Sequence, residues 1–413
     1  MDEQRFLIDG CIYAASDARL QNILARIYES AERPRCMCIP GGIEMYVAKH
    51  RLLLIKRMPE TGARHHPSCP SYESELGQSG LGELMGDAII EHSPVAVELR
   101  VDFPLVRITG LRITGRAIPN GERHEPAEVQ VARRCMSLRA VTHFLFERAG
   151  LNRWTPAMEG KRNQGVLHKY LTEAAEDVVT KGLRLSERLY VPEPFNETTK
   201  TAAAERRRGK LAILQSNCEG DGFNMALVLG EFKVSEAAAL GRKVWIKHMS
   251  DAPLFINTKG WERIERVYGS LLEARDADTA HKPRVLIAAL IYAKREHTYQ
   301  IDTASLLLAT EQWIPIDGMH EIDLIDTLVA HQRRFIKPLR YDAKSAAPFP
   351  NALLLDAGAA PVALHVMSGF MEPKDRAIKE KVLKSGATMP WVWRTDQPMP
   401  DLPPVARWNS IHR

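Results

Sequence analysis

Two short stretches, RCMCIPGG at residues 35–42 and ARHHPSCPSY at residues 63–72, decide how the front of this chain must fold. The first holds Cys36 and Cys38; the second holds His65, His66 and Cys69. Three thiols and an imidazole are the ligand content of a closed, tetrahedral Cys3His zinc site of the structural kind. Pro40, Gly41 and Gly42 follow the first pair, and Pro67 and Pro70 flank the second, as expected where a chain turns sharply around an ion. Between them MYVAKHRLLLIKRMP, residues 45–59, reads as a strand-like run that brings the two ends together. The spacing leaves open whether His65 or His66 is the fourth ligand. Cys36 and Cys38 are too close in sequence to pair easily, and nothing marks secretion, so a disulfide is disfavoured.

Working outward, 413 residues suffice for several domains, and 45% hydrophobic with 26% charged residues is the composition of a globular protein. The opening MDEQRFLIDG does not have the pattern of a signal peptide, and no run approaches the roughly 18 apolar residues of a membrane span. A cytoplasmic protein with no membrane partner is expected. The net charge of +5 is unevenly spread: residues 131–210 carry 16 Lys and Arg against 9 Asp and Glu, and residues 331–413 carry 13 against 7. Such segments point to a polyanion, and nucleic acid, DNA first, is the expected partner.

The pattern divides the chain into four segments within an α+β class. Residues 1–90 hold the zinc-binding β-module. Residues 91–195 hold strands and a helical region whose layout suits a helix-turn-helix or winged-helix element for binding nucleic acid. Residues 196–317 are an α/β domain after a basic linker, and residues 318–413 a last core with an extended tail. In the second segment SLRAVTHFLFERAGL and GVLHKYLTEAAEDVV show helical periodicity around the cationic loop NRWTPAMEGKRNQ. Arg133, Arg134, Lys161 and Arg162 there, and Arg206, Arg207 and Arg208 in the linker VPEPFNETTKTAAAERRRGK, are the candidate phosphate contacts. In the third segment LAILQSN, MALVLGEFKVS, KVWIKHM and VLIAALIYAK read as strands and WERIERVYGSLLEAR as a helix. GQSGLGELMGD, residues 77–87, lacks the GK[ST] of a phosphate loop and reads as a linker or surface loop. No dinucleotide fingerprint, GxSxG or HExxH occurs.

The last segment runs helix, strand pair, Lys-rich helix, strand, the layout of a restriction-endonuclease-like core. In that fold a helical Glu and two strand acids hold Mg²⁺ beside a Lys. Here Glu321 can serve as the helical acid, but Asn351 and His365 stand where the strand acids belong and Met367 where the Lys belongs. Asp356 and Lys379 are the candidates for acid and Lys by migration, so a working Mg²⁺-dependent nuclease would use Glu321, Asp356 and Lys379. Asn and His are poor ligands for a hard cation, which predicts a degenerate core.

The cysteine pattern, HFLFERAGLNRWTPAMEGKRN, LRLSERLYVPEPF, KPLRYD and FPNALLLD together resemble one uncharacterised bacterial family. That family is noted for three N-terminal cysteines and is often encoded on plasmids and integrative elements. The resemblance spans nearly the whole chain and implies that Cys36, Cys38 and Cys69 are the family's cysteines; it implies no established activity. The leading expectation is a zinc-stabilised nucleic-acid-binding protein of a mobile element. A degenerate nuclease is the alternative. So is a protein-interaction scaffold without nucleic acid, for which Trp391, Trp393 and Trp408 would supply an exposed patch.

Overall fold

The computed structural model describes residues 3–28, 30–49, 52–59, 61–93, 96–108, 134–215, 222–277, 282–385 and 390–406. Its N-terminal sheet has five antiparallel strands in the order Cys11–Ala14, Arg5–Ile8, Arg35–Cys36, Ile43–Lys49, Leu53–Arg57. Helix Leu20–Ile27 buries Leu20, Leu24 and Ile27, one stripe at helical spacing, in the small core it shares with Phe6, Ile8 and Met45. Ile336, Leu353 and Leu355 join this core, so the module is anchored to the C-terminal part of the chain by apolar contact.

A second sheet, in the order Leu183–Arg184, Val178–Thr180, Ala96–Leu99, Ile89–Ser93, packs with helices Leu138–Arg148 and Gln164–Ala174. Ser137 and Asn163 cap the two helices by accepting from Ala140 and Val166 backbone N–H groups. Eight of the 11 residues in Leu138–Arg148 are buried. A helix buried on most sides is a core element, whereas Gln164–Ala174 buries only Gln164, Leu167, Leu171 and Ala174 and keeps an open face. The Gly-rich stretch lies partly on the surface, with Gly77, Gly82, Glu83 and Gly86 exposed, but is anchored at its centre. Gly80 is buried and donates to the Leu339 carbonyl at 2.9 Å, and a Cβ there would come within 2.0 Å of the Arg340 carbonyl oxygen.

The third unit is a closed barrel. Strand Ala226–Ala238 pairs antiparallel with Gly241–Ile246, which pairs antiparallel with Leu254–Asn257. Helix Thr258–Asp276 follows, capped by Asn257. Strands Arg284–Arg295 and Thr298–Ala309 form a long hairpin; the second runs parallel to Leu254–Asn257 and the first returns to Ala226–Ala238. The first strand serves two neighbours because its register shifts between Phe232 and Val234: residues 226–231 pair with 286–291, and 232–238 with 241–246. Val244, Ile246, Leu254 and Ile256 point into the barrel core. The α/β expectation here is corrected to an antiparallel-rich barrel with one helix, and LAILQSN is not a strand. Its first residues close helix Lys200–Leu211 and the following turn Ala212–Gln215. The basic linker is thus helical: Ala203, Ala204 and Leu211 form a buried stripe and Arg207 pairs with Asp251.

The last sheet runs Trp391–Arg394, Val362–Met367, Ala352–Leu354, Phe335–Ile336, with Arg153–Trp154 on its edge. The first two strands are parallel and the rest antiparallel, and helix Pro373–Ser385 makes the crossover that a parallel pair requires. No helix among the described residues is long and apolar enough to cross a membrane.

Candidate metal centre

Strand Arg35–Cys36 delivers the first ligand. Its register, Phe6 opposite Cys36 opposite Ile43, buries the Cys36 side chain completely. The chain then turns through Gly41 and Gly42, both at positive φ (81° and 65°), and this turn holds Cys38. On the other side the turn Gly62–Arg64 leads into His65, and Cys69 N–H donates to the His66 carbonyl at 2.8 Å, curling the loop back. Cys36, Cys38, His65 and Cys69 place one ligand atom each within 4.8 Å of one another. Cys36 Sγ lies 3.7 Å from Cys69 Sγ, and His65 Nδ1 lies 3.3 Å from Cys38 Sγ and 3.7 Å from Cys69 Sγ.

A tetrahedral zinc ion with bonds of about 2.3 Å to sulfur and about 2.0 Å to nitrogen sets sulfurs about 3.8 Å apart and sulfur from nitrogen about 3.6 Å. The measured edges fit that figure. His65 is the histidine of the cluster. His66 turns away and its Nδ1 pairs with Ser68 Oγ at 2.7 Å, so its place among the candidate ligands is corrected. Donors surround the sulfurs as they do around metal thiolates: Gln4 Nε2 lies 3.4 Å from Cys36 Sγ, and Ser71 N–H donates to Cys69 Sγ at 3.4 Å. The thiols also divide their protons. Hydrogen bonds from Cys38 and Cys69 draw Cys36 well below the ordinary thiol range, while the same contact with Cys36 holds Cys69 far above it. A cation that takes three thiolates removes this competition for protons.

The loop between His65 and Cys69 has a second side. Pro67 to Ser74 form one wall of a cleft of about 960 Å³, whose far wall is the 147–162 region. Six cations line it, Arg57, Arg148, Arg153, Lys161, Arg162 and Arg334, against three acids, Glu3, Glu73 and Glu147. Arg57 pairs with Glu73, and Arg148 lies 3.6 Å from Asp177. Arg153 instead donates to the Pro70 carbonyl at 2.7 Å and Arg334 to that of Ser68 at 3.4 Å. Among the described residues no carboxylate pairs with Arg153, Lys161, Arg162 or Arg334. Burial pushes Arg57, Arg153 and Arg162 down to about 10 and raises Glu147. Glu73 offsets the cost of desolvating Arg57 and the nearby Glu147 part of that of Arg153, whereas Arg162 is held by carbonyls.

The structure distributes the expected phosphate contacts unevenly. Lys161 is exposed at the cleft. Arg162 is a strut, donating to the carbonyls of Leu151 (2.9 Å), Gln312 (3.0 Å) and Gly150 (3.2 Å). Arg134 is tied to Glu83, Arg206 to Glu193, and Arg207 is buried against Asp251. Arg134 and Arg206 remain more than half exposed beside their acids, Arg208 is exposed, and Arg133 lies outside the described residues. The sequence reading missed Arg57, Arg148, Arg153 and Arg334, since only the fold brings these four together.

The nuclease candidates do not assemble. Asp356 accepts Arg333 Nη2 at 2.8 Å and Arg334 N–H at 2.9 Å, a structural ion pair, and makes no hydrogen bond to Glu321 or Lys379. Glu321 and Lys379 do meet, through Asn351: its Nδ2 donates to Glu321 Oε1 at 2.6 Å and its Oδ1 accepts Lys379 Nζ at 3.1 Å. This cluster is sealed, with Glu321 and Lys379 almost wholly buried. The restriction-endonuclease expectation therefore gains no support at the level of a site. Of the aromatic residues of the scaffold reading, Trp393 is buried, Trp391 half-buried, and Trp408 lies outside the described residues.

Fold and site together define a mixed α+β protein with a Cys3His cluster near its N-terminus that could hold a metal ion. Residues 6–396 match the family model DUF1173, described as a protein of unknown function, and the chain belongs to that family. No curated protein and no solved structure matches.

Proposed function

We propose that this chain is a zinc-stabilised nucleic-acid-binding protein. One observation carries the reading: the loop that supplies His65 and Cys69 is also a wall of the cleft in which, among the described residues, no carboxylate lies within ion-pair distance of Arg153, Lys161 or Arg334. Zinc suits the donor set, since three thiolates and one imidazole select a borderline-soft ion over Mg²⁺ or Ca²⁺. In a module with a small core, the ion's binding energy becomes folding energy and fixes the wall. A phosphodiester backbone supplies the anions that the cleft cations lack.

Zinc is measured by elemental analysis on the wild type and on the Cys36→Ser/Cys69→Ser double variant, together with anisotropy of a labelled oligonucleotide. The reading expects about one zinc per chain, lost in the variant, and salt-sensitive binding that weakens with it. Zinc without any nucleic-acid binding at low salt would reduce the reading to a metal-stabilised fold.

A further inference from the structure

The barrel carries a surface that the cleft does not explain. Its strands, taken in chain order, lie in the ring order one, two, three, five, four and back to one, with three and five parallel and a helix between three and four. This is the connectivity of the five-stranded Greek-key barrel known as the OB fold, whose strands two and three and whose one–two and four–five loops form an oligonucleotide-binding face. Fold alone does not assign function, so the residues on that face decide.

The register identifies them. Val244, Ile246, Leu254 and Ile256 point inward, so Lys243, Trp245 and Phe255 point out. Lys243 stands directly opposite Phe255, and Phe255 opposite Gln300 of the parallel strand, which makes one outward row across three strands. Trp245 stands one step further along, opposite Val234. Neither Trp245 nor Phe255 packs into any of the three apolar cores, and both remain half-buried on the surface. The Lys243 ammonium lies 5.8 Å from the Phe255 ring centre. Exposed Lys294 and Arg295 lie at the four–five turn, and Leu240, 87% exposed, forms the tip of the one–two turn. Glu236, opposite Lys243, is the one acid that the register places in this row.

We infer that this outer face of the barrel binds single-stranded nucleic acid, with bases stacked on Trp245 and Phe255 and phosphates met by Lys243, Lys294 and Arg295. Two aromatic planes on an open sheet face with cations at its edge suit unpaired bases, which every sequence offers, and give a duplex nothing to stack on. The inference deepens the nucleic-acid reading by naming the strand state and a surface separate from the cleft.

The test uses the full-length, zinc-loaded chain with a fluorescein-labelled oligothymidylate and a duplex of equal length. The single strand is expected to bind more tightly than the duplex. Trp245→Ala and Phe255→Ala are each expected to weaken it about 5- to 140-fold. Trp245→Phe, which keeps a ring, is expected to recover most of the loss and guards against misfolding. Single-strand binding unmoved by Trp245→Ala and Phe255→Ala but reduced by Lys161→Ala would overturn the barrel face and leave the cleft reading standing. Tighter binding of the duplex would also overturn it, and no binding of either probe would remove both readings.

Discussion

Replacing Lys161 by Ala and Arg334 by Gln would remove two of the three cleft cations best placed to meet phosphates. Among the described residues Arg153, Lys161 and Arg334 line the cleft without an ion-paired carboxylate. Arg153 and Arg334 each reach a carbonyl of the ligand loop, while Arg162 is held by carbonyls of the far wall and beyond. Each phosphate neutralised on a single strand contributes about 0.7 to the slope of log K against log salt. Three contacts give about 2.1, so the cleft's share of affinity falls about 18-fold between 50 and 200 mM salt. With one contact left the same change costs about 2.6-fold, and the overall slope should drop by about 1.4. Anisotropy titrations with an oligothymidylate at four salt concentrations measure this directly. Zinc content serves as the control, because Arg334 holds the Ser68 carbonyl in the ligand loop. A slope unchanged in the double variant, with zinc retained, would refute the cleft as a phosphate site.

Other expectations follow from particular contacts. Zinc should be lost as pH falls, because the three thiols must deprotonate to bind it; chelator competition followed by dye absorbance from pH 8 down to 5 checks the direction. Asp356→Asn should cost about 3–5 kcal/mol of stability in denaturant unfolding, since it leaves the buried Arg333 guanidinium unpaired; an unchanged midpoint would mean that the carboxylate is free for another role. Burial, aided by Lys337, holds Lys379 down at about 8 against 10.5 for the free side chain. Between these values the unfolded chain binds the proton that the native chain refuses. Wild-type stability should therefore rise relative to Lys379→Met from about pH 8 to 10.5, by roughly 3 kcal/mol. Parallel pH profiles of the two proteins would count against this environment.

The metal centre was legible because its chemistry is local: two short motifs, rich in glycine and proline, carry all four ligands. Choosing His65 over His66 was not legible, because it depends on which way a ring turns at the end of the Gly62–Arg64 turn. Helix Leu138–Arg148 was legible as a helix, but the depth of its burial was not. Periodicity locates an apolar stripe but not the second layer that buries Thr142 and His143 as well. The stretch TKTAAAERRRGK looked solvated because its charges dominate the composition, yet Ala203, Ala204 and Leu211 form a docking stripe. The barrel was invisible for a different reason. Its closure depends on one register shift near Phe232 and on a parallel contact between strands some forty-five residues apart, Leu254 with Tyr299. Neither leaves a local signature, and the intervening helix makes the stretch look like an α/β unit.

The sealed cluster around Asn351 shows why an order of helices and strands read from sequence does not by itself carry a site's chemistry. Asp317 and Glu321 face Lys337, whose Nζ lies 3.0 Å and 3.2 Å from their oxygens. Lys379 supplies a second ammonium, bonded to the Phe349 carbonyl at 2.7 Å and to Asn351. Two carboxylates and two ammonium groups already balance. His365 adds no charge, since burial, with Lys379 beside it, holds it down to about 4. A divalent cation placed here would meet amide and imidazole where it needs carboxylates, and an ammonium in the way. Asn351 instead orders the group: its amide donates to Glu321 and its oxygen takes both Lys379 and the Val366 N–H, tying helix to strand. Asn351→Asp would break the Glu321 contact and set two carboxylates side by side, so it should destabilise the C-terminal sheet before it creates any cation site. Unfolding measured with and without Mg²⁺ separates the two outcomes. A variant less stable than wild type and indifferent to Mg²⁺ is the result this charge balance requires, and a variant stabilised by Mg²⁺ would show that two carboxylates suffice to restore a metal site.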